Sequence, residues 1–591
     1  MLIRNLYWSF SISGLNILIG RENINERYGR KMTSKAYFKD EEIKPGSPGF
    51  SRTRSIIETT FYGNNVVKIN SLKEAYELAS GSPGTTVTGI PVYGADEMGL
   101  PADAKVLLFN DGSVVGRYAP ARRLADIVSK DDKDTLDQIV MDAVYDARWK
   151  KLYHAEAVIG LEQEFMVKAH MLIPEGEENI LYSWLLNFQH FNDEYKSIYD
   201  NSKAIGNGGE CDVFIFSDPH WKGTGGKTNV CDPNNLCYFN TQENCGAILG
   251  MRYFGEHKKG TLTLAWTIAA RNGFIPCHGG QKEYVCEDGS KFAAAFFGLS
   301  GSGKSTLTHA QHAGKYDKIR VLHDDAFIIN EETKKSIALE PAYFDKTADY
   351  CAGSEANNYL LTVQNCGATV IQDGTITIVS EDIRNRNGRA IKSKFWSANR
   401  VNKIDHPLNA VFWIMKDPTL PPVLKITDAV LAAVMGVTLT TQRSSAERVK
   451  KGAAKDKPVI EPYANPFRAY PLVYDYEKFK QLFYKGETEC FIINTGQFMG
   501  KDIKKEDTLE IIEMIIDKNV SFKTWGQFEK METIDWMNFK SDFNNREYID
   551  QLKDNMRRRL EFVEKLDYDN GGYDRLPMEV KNCLKEIIEK L

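Results

Sequence analysis

Apolar positions change their period along this chain of 591 residues, and the change divides it. Near the C-terminus Ile549, Leu552, Met556, Leu560, Val563 and Leu566 recur at intervals of three and four. That is the spacing of one face of an α-helix, so the stretch predicts a helix with a packing stripe. Further back, short unbroken apolar runs replace the stripe: Phe292 to Phe297, Ile319 to Leu322 and Ala410 to Ile414. Their length and their alternation with helix-compatible sequence predict buried strands of an α/β layer. From residue 33 to about 276 the apolar runs are separated by glycine-rich turns at 81–84, 206–209 and 223–226, which predicts an α/β lobe of its own. The expected organisation is an extension over 1–32, an N-terminal substrate-binding lobe over 33–275 and a C-terminal nucleotide-binding lobe over 276–591.

The extension follows from its own pattern. Arg4 leads into an apolar-leaning stretch to Gly20, but Ser9, Ser11, Ser13 and Asn16 interrupt it and no small-residue cleavage site stands out. It is too short and too polar to span a bilayer. An upstream extension, with Met32 as the functional start, is preferred over a targeting peptide.

Composition then narrows the function. With 42% apolar residues the chain has the content of a globular protein with sizeable cores. A net charge of -5 and a pI near 6.1 give no bulk attraction to nucleic acid, and the basic run Arg557 to Arg559 reads as the solvated face of a helix. The ten cysteines show no paired or zinc-like spacing, so free thiols, a reducing cytoplasm and no membrane association are expected.

The stretch that organises the chemistry is Phe296 to Thr308, FFGLSGSGKSTLT. Gly298, four residues, Gly303, Lys304 and Ser305 have the form of a P-loop. Glycines let backbone amides of Gly298, Leu299, Ser300, Gly301, Ser302, Gly303 and Thr306 turn inward around phosphate oxygens. Lys304 then reaches the terminal phosphates, and the Ser305 hydroxyl meets a divalent metal. The alternative is a Gly/Ser turn between a strand and a helix. About twenty residues on, Ile319 to Leu322 runs into His323-Asp324-Asp325, which sets carboxylates at a strand end, where a P-loop protein holds its metal. Adjacent aspartates there point to opposite sides, so one ligates while the other orients a neighbour.

A second cluster lies upstream: Arg252-Tyr253-Phe254-Gly255-Glu256-His257-Lys258-Lys259-Gly260, then His278 nineteen positions past Lys259. In order and interval, this segment, the histidine, the glycine loop and the aspartate pair resemble the ATP-type phosphoenolpyruvate carboxykinases. The segments 233–260 and Pro421-Pro422-Val423, read as preceding a long helix, are similar too. The resemblance spans about residues 110 to 500. It implies a two-lobed α/β fold with the P-loop in the C-terminal lobe, and the reaction of oxaloacetate with ATP to phosphoenolpyruvate, carbon dioxide and ADP, or its reverse. It further implies manganese on Lys259, His278 and Asp325, magnesium with the nucleotide, and catalytic parts for Lys258, Lys259, Lys304 and Arg389. Arg117, in Gly116-Arg117-Tyr118-Ala119-Pro120, and Arg389, in Asn387-Gly388-Arg389, fall where the family grips its dicarboxylate, a task suited to the planar guanidinium fork. Tyr253 matches the family's active-site tyrosine and contributes, with Lys259, to substrate binding. Arg448 matches a nucleotide-contacting arginine. Partners are then small molecules only, with a monomer expected.

Departures accompany the match. The aspartate pair continues as Ala326-Phe327-Ile328-Ile329, the arginine loop reads GRYAPAR, and between Glu340 and Lys346 the middle reads PAYFD. Two other readings fit a P-loop and an aspartate pair: a kinase of another substrate, which leaves Tyr253, Lys259, His278 and Arg117 idle, and a non-catalytic nucleotide-binding relative.

Overall fold

The computed structural model describes residues 52–110, 117–202, 210–299, 301–347, 354–379, 388–442, 447–448, 458–536 and 539–591. The expected extension, the turn at 206–209 and Ser300 therefore lie outside the described residues. Of Arg117, Tyr118 and Arg448 the backbone alone is described.

The apolar runs become the central strands of an eight-stranded sheet drawn from residues 280–533. Its order is 318–323, 280–285, 291–297, 410–415, 489–494, 423–426, 528–533, 523–525. The three middle strands Lys291–Phe297, Ala410–Met415 and Glu489–Asn494 run parallel, and nearly all of their side chains are buried. Strands covered on both faces need continuous apolar sequence, which is why these runs do not alternate. A second eight-stranded sheet is drawn from residues 66–249.

Two smaller sheets tie the halves of the sequence together. One orders strands 343–346, 389–392, 360–364, 105–109 and 85–91, with Thr362 opposite Leu107. The other pairs Phe274–His278 with Ala326–Asn330, so that His278 stands across from Ala326 and next to the aspartate pair.

Between the N-terminal sheet and the small sheet of Phe274–His278 and Ala326–Asn330 runs the helix Phe254–Arg271, in which every residue except Arg271 is buried. Such a helix has no solvated face to read from periodicity. At Gly260 a Cβ would meet the Phe239 ring at 2.8 Å, so glycine is what lets this helix lie close on the sheet. Burial of Lys258 and Lys259 on it demands partners, because an unpaired ammonium in such surroundings is very unfavourable.

Two expectations need correction. The segment after Pro421-Pro422 is a strand, Val423–Ile426, followed by a helix of only 9 residues, Ala429–Val437. The predicted C-terminal helix is present as Arg546–Lys565, and Leu552, Met556 and Val563 pack inward from it. The run Arg557 to Arg559 is not uniformly solvated, however. Arg559 is 1% exposed and its Nη2 lies 3.0 Å from Asp417 Oδ2. The helical period explains it: position 559 falls three after Met556 and four before Val563, on the packing stripe itself.

Candidate active site

The strand Lys318–His323 ends in a turn that one imidazole organises. His323 is fully buried; its Nε2–H donates to the Ala342 carbonyl at 3.0 Å, and its Nδ1 accepts from the amides of Asp325 and Ala326 at 3.0 and 3.1 Å. Burial keeps this histidine neutral, with its pKa lowered to about 3. The turn separates the two aspartates. Asp324 is buried with Oδ2 3.4 Å from His309 Nε2, and Asp325 turns towards the lysine helix.

Asp325 gathers four predicted groups. Its Oδ2 lies 2.8 Å from Lys258 Nζ and 2.7 Å from Lys259 Nζ, while Oδ1 lies 3.0 Å from His278 Nε2 and 3.6 Å from Lys304 Nζ. Consecutive residues on a helix diverge by roughly 100°, so only the long lysine stems let positions 258 and 259 converge on one oxygen. Lys258 is bracketed on its other side by Glu340, with Oε1 at 2.9 Å, and Asn187 Nδ2 holds Glu340 Oε2 at 2.6 Å.

The charge balance of this cluster is uneven. Burial works against the charge on Asp325, yet Lys258, Lys259, His278 and Lys304 together hold its carboxyl well below the usual range. Lys258 suffers burial too, but Asp325 and Glu340 outweigh it and hold its ammonium well above the ordinary value. Lys259 goes the other way. Burial, reinforced by Lys258, overcomes Asp325 and lowers it to about 8. His278 falls to about 4 through burial and the neighbouring Lys304 and Lys259. Three lysines thus face one half-buried carboxylate, with Glu340 behind, and the surplus positive charge suits an incoming polyanion.

Lys304 arrives from the glycine loop. The strand Lys291–Phe297 leads through the loop into Lys304–His309, a helix of 6 residues. Gly303 has φ 100°, and a Cβ at Gly298 would lie 2.3 Å from Ser302 Oγ, so both positions require glycine. Thr495 Oγ1 donates to the Ser302 carbonyl at 2.7 Å and fastens the loop to the neighbouring strand. Ser305 and Thr306 are exposed in the first helical turn, and Leu299 is buried beneath it.

Other predicted residues stand at varying remove. Tyr253 caps the lysine helix; its carbonyl accepts from His257 Nδ1 at 3.2 Å, and its ring is 1% exposed. Arg389 is buried at the start of the strand Arg389–Lys392, opposite Lys346 on one side and Gln364 on the other. Gln364 in turn accepts from the Phe254 amide at 3.4 Å, which links Arg389 to the lysine helix. The backbone at Arg117–Tyr118 pairs in parallel with Glu447–Arg448, so the two outlying arginine segments are strand neighbours.

Several participants left no local trace in the sequence. His278 Nδ1–H donates to the Ala464 carbonyl, which fixes the ring with Nε2 facing Asp325. Phe467 and Trp266 flank both His278 and Lys259, with the Phe467 ring centre 4.8 Å from Lys259 Nζ. Ala464 and Phe467 lie nearly two hundred positions from their partners, and no spacing connects them. Glu340 had a signal in its position ahead of Lys346, although nothing pointed to Lys258 as its partner.

Comparisons with known proteins bear on the family of the chain. A description of the family "Phosphoenolpyruvate carboxykinase" matches residues 125–540. Phosphoenolpyruvate carboxykinase (ATP) of Aeropyrum pernix is 26% identical over 292 residues, 48% of this chain and 58% of that protein. The glycosomal phosphoenolpyruvate carboxykinase (ATP) of Trypanosoma cruzi is 26% identical over 338 residues, covering 55% and 66% respectively, and that of Trypanosoma brucei brucei is 24% identical over 386 residues, covering 63% and 75%. The matched stretch thus spans less than two thirds of the first two relatives. Among the described residues no helix is long and apolar enough to cross a membrane. With the matched region reaching from before the lysine helix to past the last strand of the C-terminal sheet, the chain belongs to the phosphoenolpyruvate carboxykinase family.

Proposed function

We propose that this protein converts oxaloacetate and ATP to phosphoenolpyruvate, carbon dioxide and ADP, or runs the reverse, with residues 33–275 as the substrate lobe and 276–591 as the nucleotide lobe. The observation that carries the reading is the convergence of Lys258, Lys259, His278 and Lys304 on Asp325. A kinase of a neutral acceptor has no need of two further buried lysines beside its phosphate-binding lysine.

The donor set fits the family's divalent metals. His278 presents a fixed Nε2, Asp325 is ionised, and Lys259, lowered to about 8, gives up its proton far more easily than an ordinary lysine. Lys259, His278 and Asp325 would hold manganese, and Ser305 would meet the magnesium that accompanies the nucleotide. When bound, these ions supply Lewis acidity and neutralise developing negative charge.

The chain's own groups do the rest. In the decarboxylation the bond between the carboxylate and C3 of oxaloacetate breaks, carbon dioxide leaves, and the electron pair comes to rest on the enolate oxygen. That oxygen attacks the γ-phosphorus in line as ADP departs, so no covalent protein intermediate is needed. Lys304, with the backbone amides of 298–306, holds the terminal phosphates. Lys258, kept charged by Asp325 and Glu340, supplies fixed positive charge where negative charge develops, and being preorganised it needs no rearrangement at the moment of reaction. Arg117 and Arg389 are read as the dicarboxylate clamp, Tyr253 as a substrate contact and Arg448 as a nucleotide contact. The compartment is read as cytoplasmic and the protein as a monomer. The test is a coupled assay with oxaloacetate, ATP, magnesium and manganese, repeated with GTP and pyrophosphate. ATP-specific formation of ADP and phosphoenolpyruvate is expected; nucleotide binding without oxaloacetate-dependent ADP overturns the reading.

A further inference from the structure

Away from Asp325, the N-terminal sheet brings together a second set of donor atoms. The strands Leu152–Glu162 and Phe165–Pro174 are antiparallel neighbours, with Glu156 directly opposite His170. Residues two apart on a strand share a face, so His154 joins them. His154 Nε2 lies 3.0 Å from His170 Nδ1, and Glu156 Oε1 lies 3.4 Å from that same nitrogen. One ligand atom from each of the three falls within 4.8 Å of the others. Donors about 2.1 Å from a tetrahedral ion stand roughly 3.4 Å apart, so the two pairs made by His170 Nδ1, at 3.0 and 3.4 Å, already have nearly the spacing of such a site.

The surroundings point the same way. His170 Nε2 lies 2.9 Å from Asp212 Oδ2, so that nitrogen carries the hydrogen and Nδ1 turns its lone pair towards His154 and Glu156. A carboxylate on the far nitrogen of a ligating imidazole is the usual outer contact of a metal-bound histidine. Asp212 is itself held by the Tyr199 hydroxyl. The rings are fixed by packing: Phe214 stacks on His170 at 4.4 Å and 3°, and Phe61 stands edge-on to His154 at 5.1 Å. Two lysines compete for the carboxylates. Lys68 Nζ lies 3.0 Å from Glu156 Oε2, but its side chain is 51% exposed and can withdraw into water with little loss. Lys168 lies 3.8 Å from Glu156 and 3.4 Å from Asp212 and is braced over the Phe191 and Tyr199 rings.

We propose that His154, Glu156 and His170 form a second metal site, separate from the Asp325 cluster, for a divalent ion of the zinc class, with Asp212 orienting His170 and the fourth position left to water. Two imidazoles and one carboxylate are a borderline-soft donor set, which favours zinc over the magnesium and manganese of oxygen-rich sites.

The test is a zinc titration of the full chain followed by calorimetry, repeated on His154→Gln, Glu156→Gln, Asp212→Asn and, as a control for the Asp325 cluster, His278→Ala. The wild type is expected to take up one zinc equivalent more than His154→Gln and Glu156→Gln, His278→Ala to keep that equivalent, and Asp212→Asn to bind it ten- to hundred-fold more weakly, about the size of an outer-contact loss. Visible absorption of the cobalt-substituted protein, compared between wild type and Glu156→Gln, reads the same site, because tetrahedral coordination gives intense bands that should disappear in the variant. If His154→Gln fails to fold, as judged by circular dichroism without zinc, Glu156→Gln decides. Equal zinc affinity and stoichiometry in wild type and Glu156→Gln overturns the proposal. So does an absence of zinc uptake by the wild type, which would leave a plain imidazole–imidazole hydrogen bond at 3.0 Å.

Discussion

Asp417 and Asp325 are both carboxylates set among cations, and their environments are built to different ends. Asp417 is 2% exposed and meets one cation, Arg559, at 3.0 Å. Its other oxygen is satisfied by the Thr419 hydroxyl at 2.7 Å, the Thr419 amide at 3.0 Å and Asn555 at 2.8 Å. The charges are matched one to one, and both carboxylate oxygens of Asp417 are bonded. Asp325 is half-buried and faces three lysines and a histidine, with Glu340 as a second carboxylate in contact with Lys258. A closed, balanced pair holds elements of the fold together. An open cluster with surplus charge of one sign is unfinished without a ligand.

The largest expected effect breaks the balanced pair. Arg559→Ala leaves Asp417 buried without its cation and is expected to lower stability by about 3–5 kcal/mol, read from urea unfolding. Replacing both partners, Arg559→Leu with Asp417→Leu, should recover most of that loss; a double variant as unstable as the single one would mean that packing, not charge, sets the penalty.

Lys304→Ala tests the opposite case. Because Lys304 belongs to the unbalanced cluster, removing it relieves repulsion among cations and should leave the thermal midpoint within a few degrees of wild type. Oxaloacetate-dependent ADP formation should nevertheless fall by about 10²–10³-fold in kcat, the scale of losing one preorganised charge at the reacting phosphate. Near-normal turnover in the folded variant would remove this loop from the chemistry.

The smallest effect is one of pH. Lys259 has a folded pKa of about 8, below its ordinary 10.5, and as a proposed manganese ligand it would bind only after losing its proton. Manganese affinity should therefore fall about tenfold per unit as pH drops below roughly 8 and flatten above it. His278, at about 4, adds nothing above pH 5. Paramagnetic resonance titrations at pH 6.5, 7.5 and 8.5 give the slope, and Lys259→Met should abolish it; an unchanged slope in that variant would move the proton to another group.

What the sequence made legible follows from where information is stored. The glycine loop and the aspartate turn are contiguous, so their chemistry shows in a few letters, and the central strands show because two-sided burial demands unbroken apolar runs. The lysine helix had no periodic signal, since it is buried all round; its two lysines were identified through the resemblance alone. Arg559 was misread because three adjacent arginines look like a solvated run, although its phase on the Leu552, Met556 and Val563 stripe was available. Ala464 and Phe467 were beyond reach, because they meet His278 only through the tertiary fold.

The pairing of Leu107 with Thr362 bears on how the protein is made. On the ribosome the strand Lys105–Phe109 emerges some 255 residues before its neighbour Leu360–Gln364, a delay of about 13–50 s at elongation rates of roughly 5–20 residues per second. During that interval one edge of Lys105–Phe109 has no native neighbour, and an open apolar edge invites pairing between nascent chains. Chains released from the ribosome at residue 350 should therefore cross-link to one another through the Lys105–Phe109 edge, whereas chains released beyond residue 392, where the sheet's last strand is complete, should lose that cross-link. Synthesis of this protein thus has a vulnerable window whose length is set by the distance in sequence between two neighbouring strands.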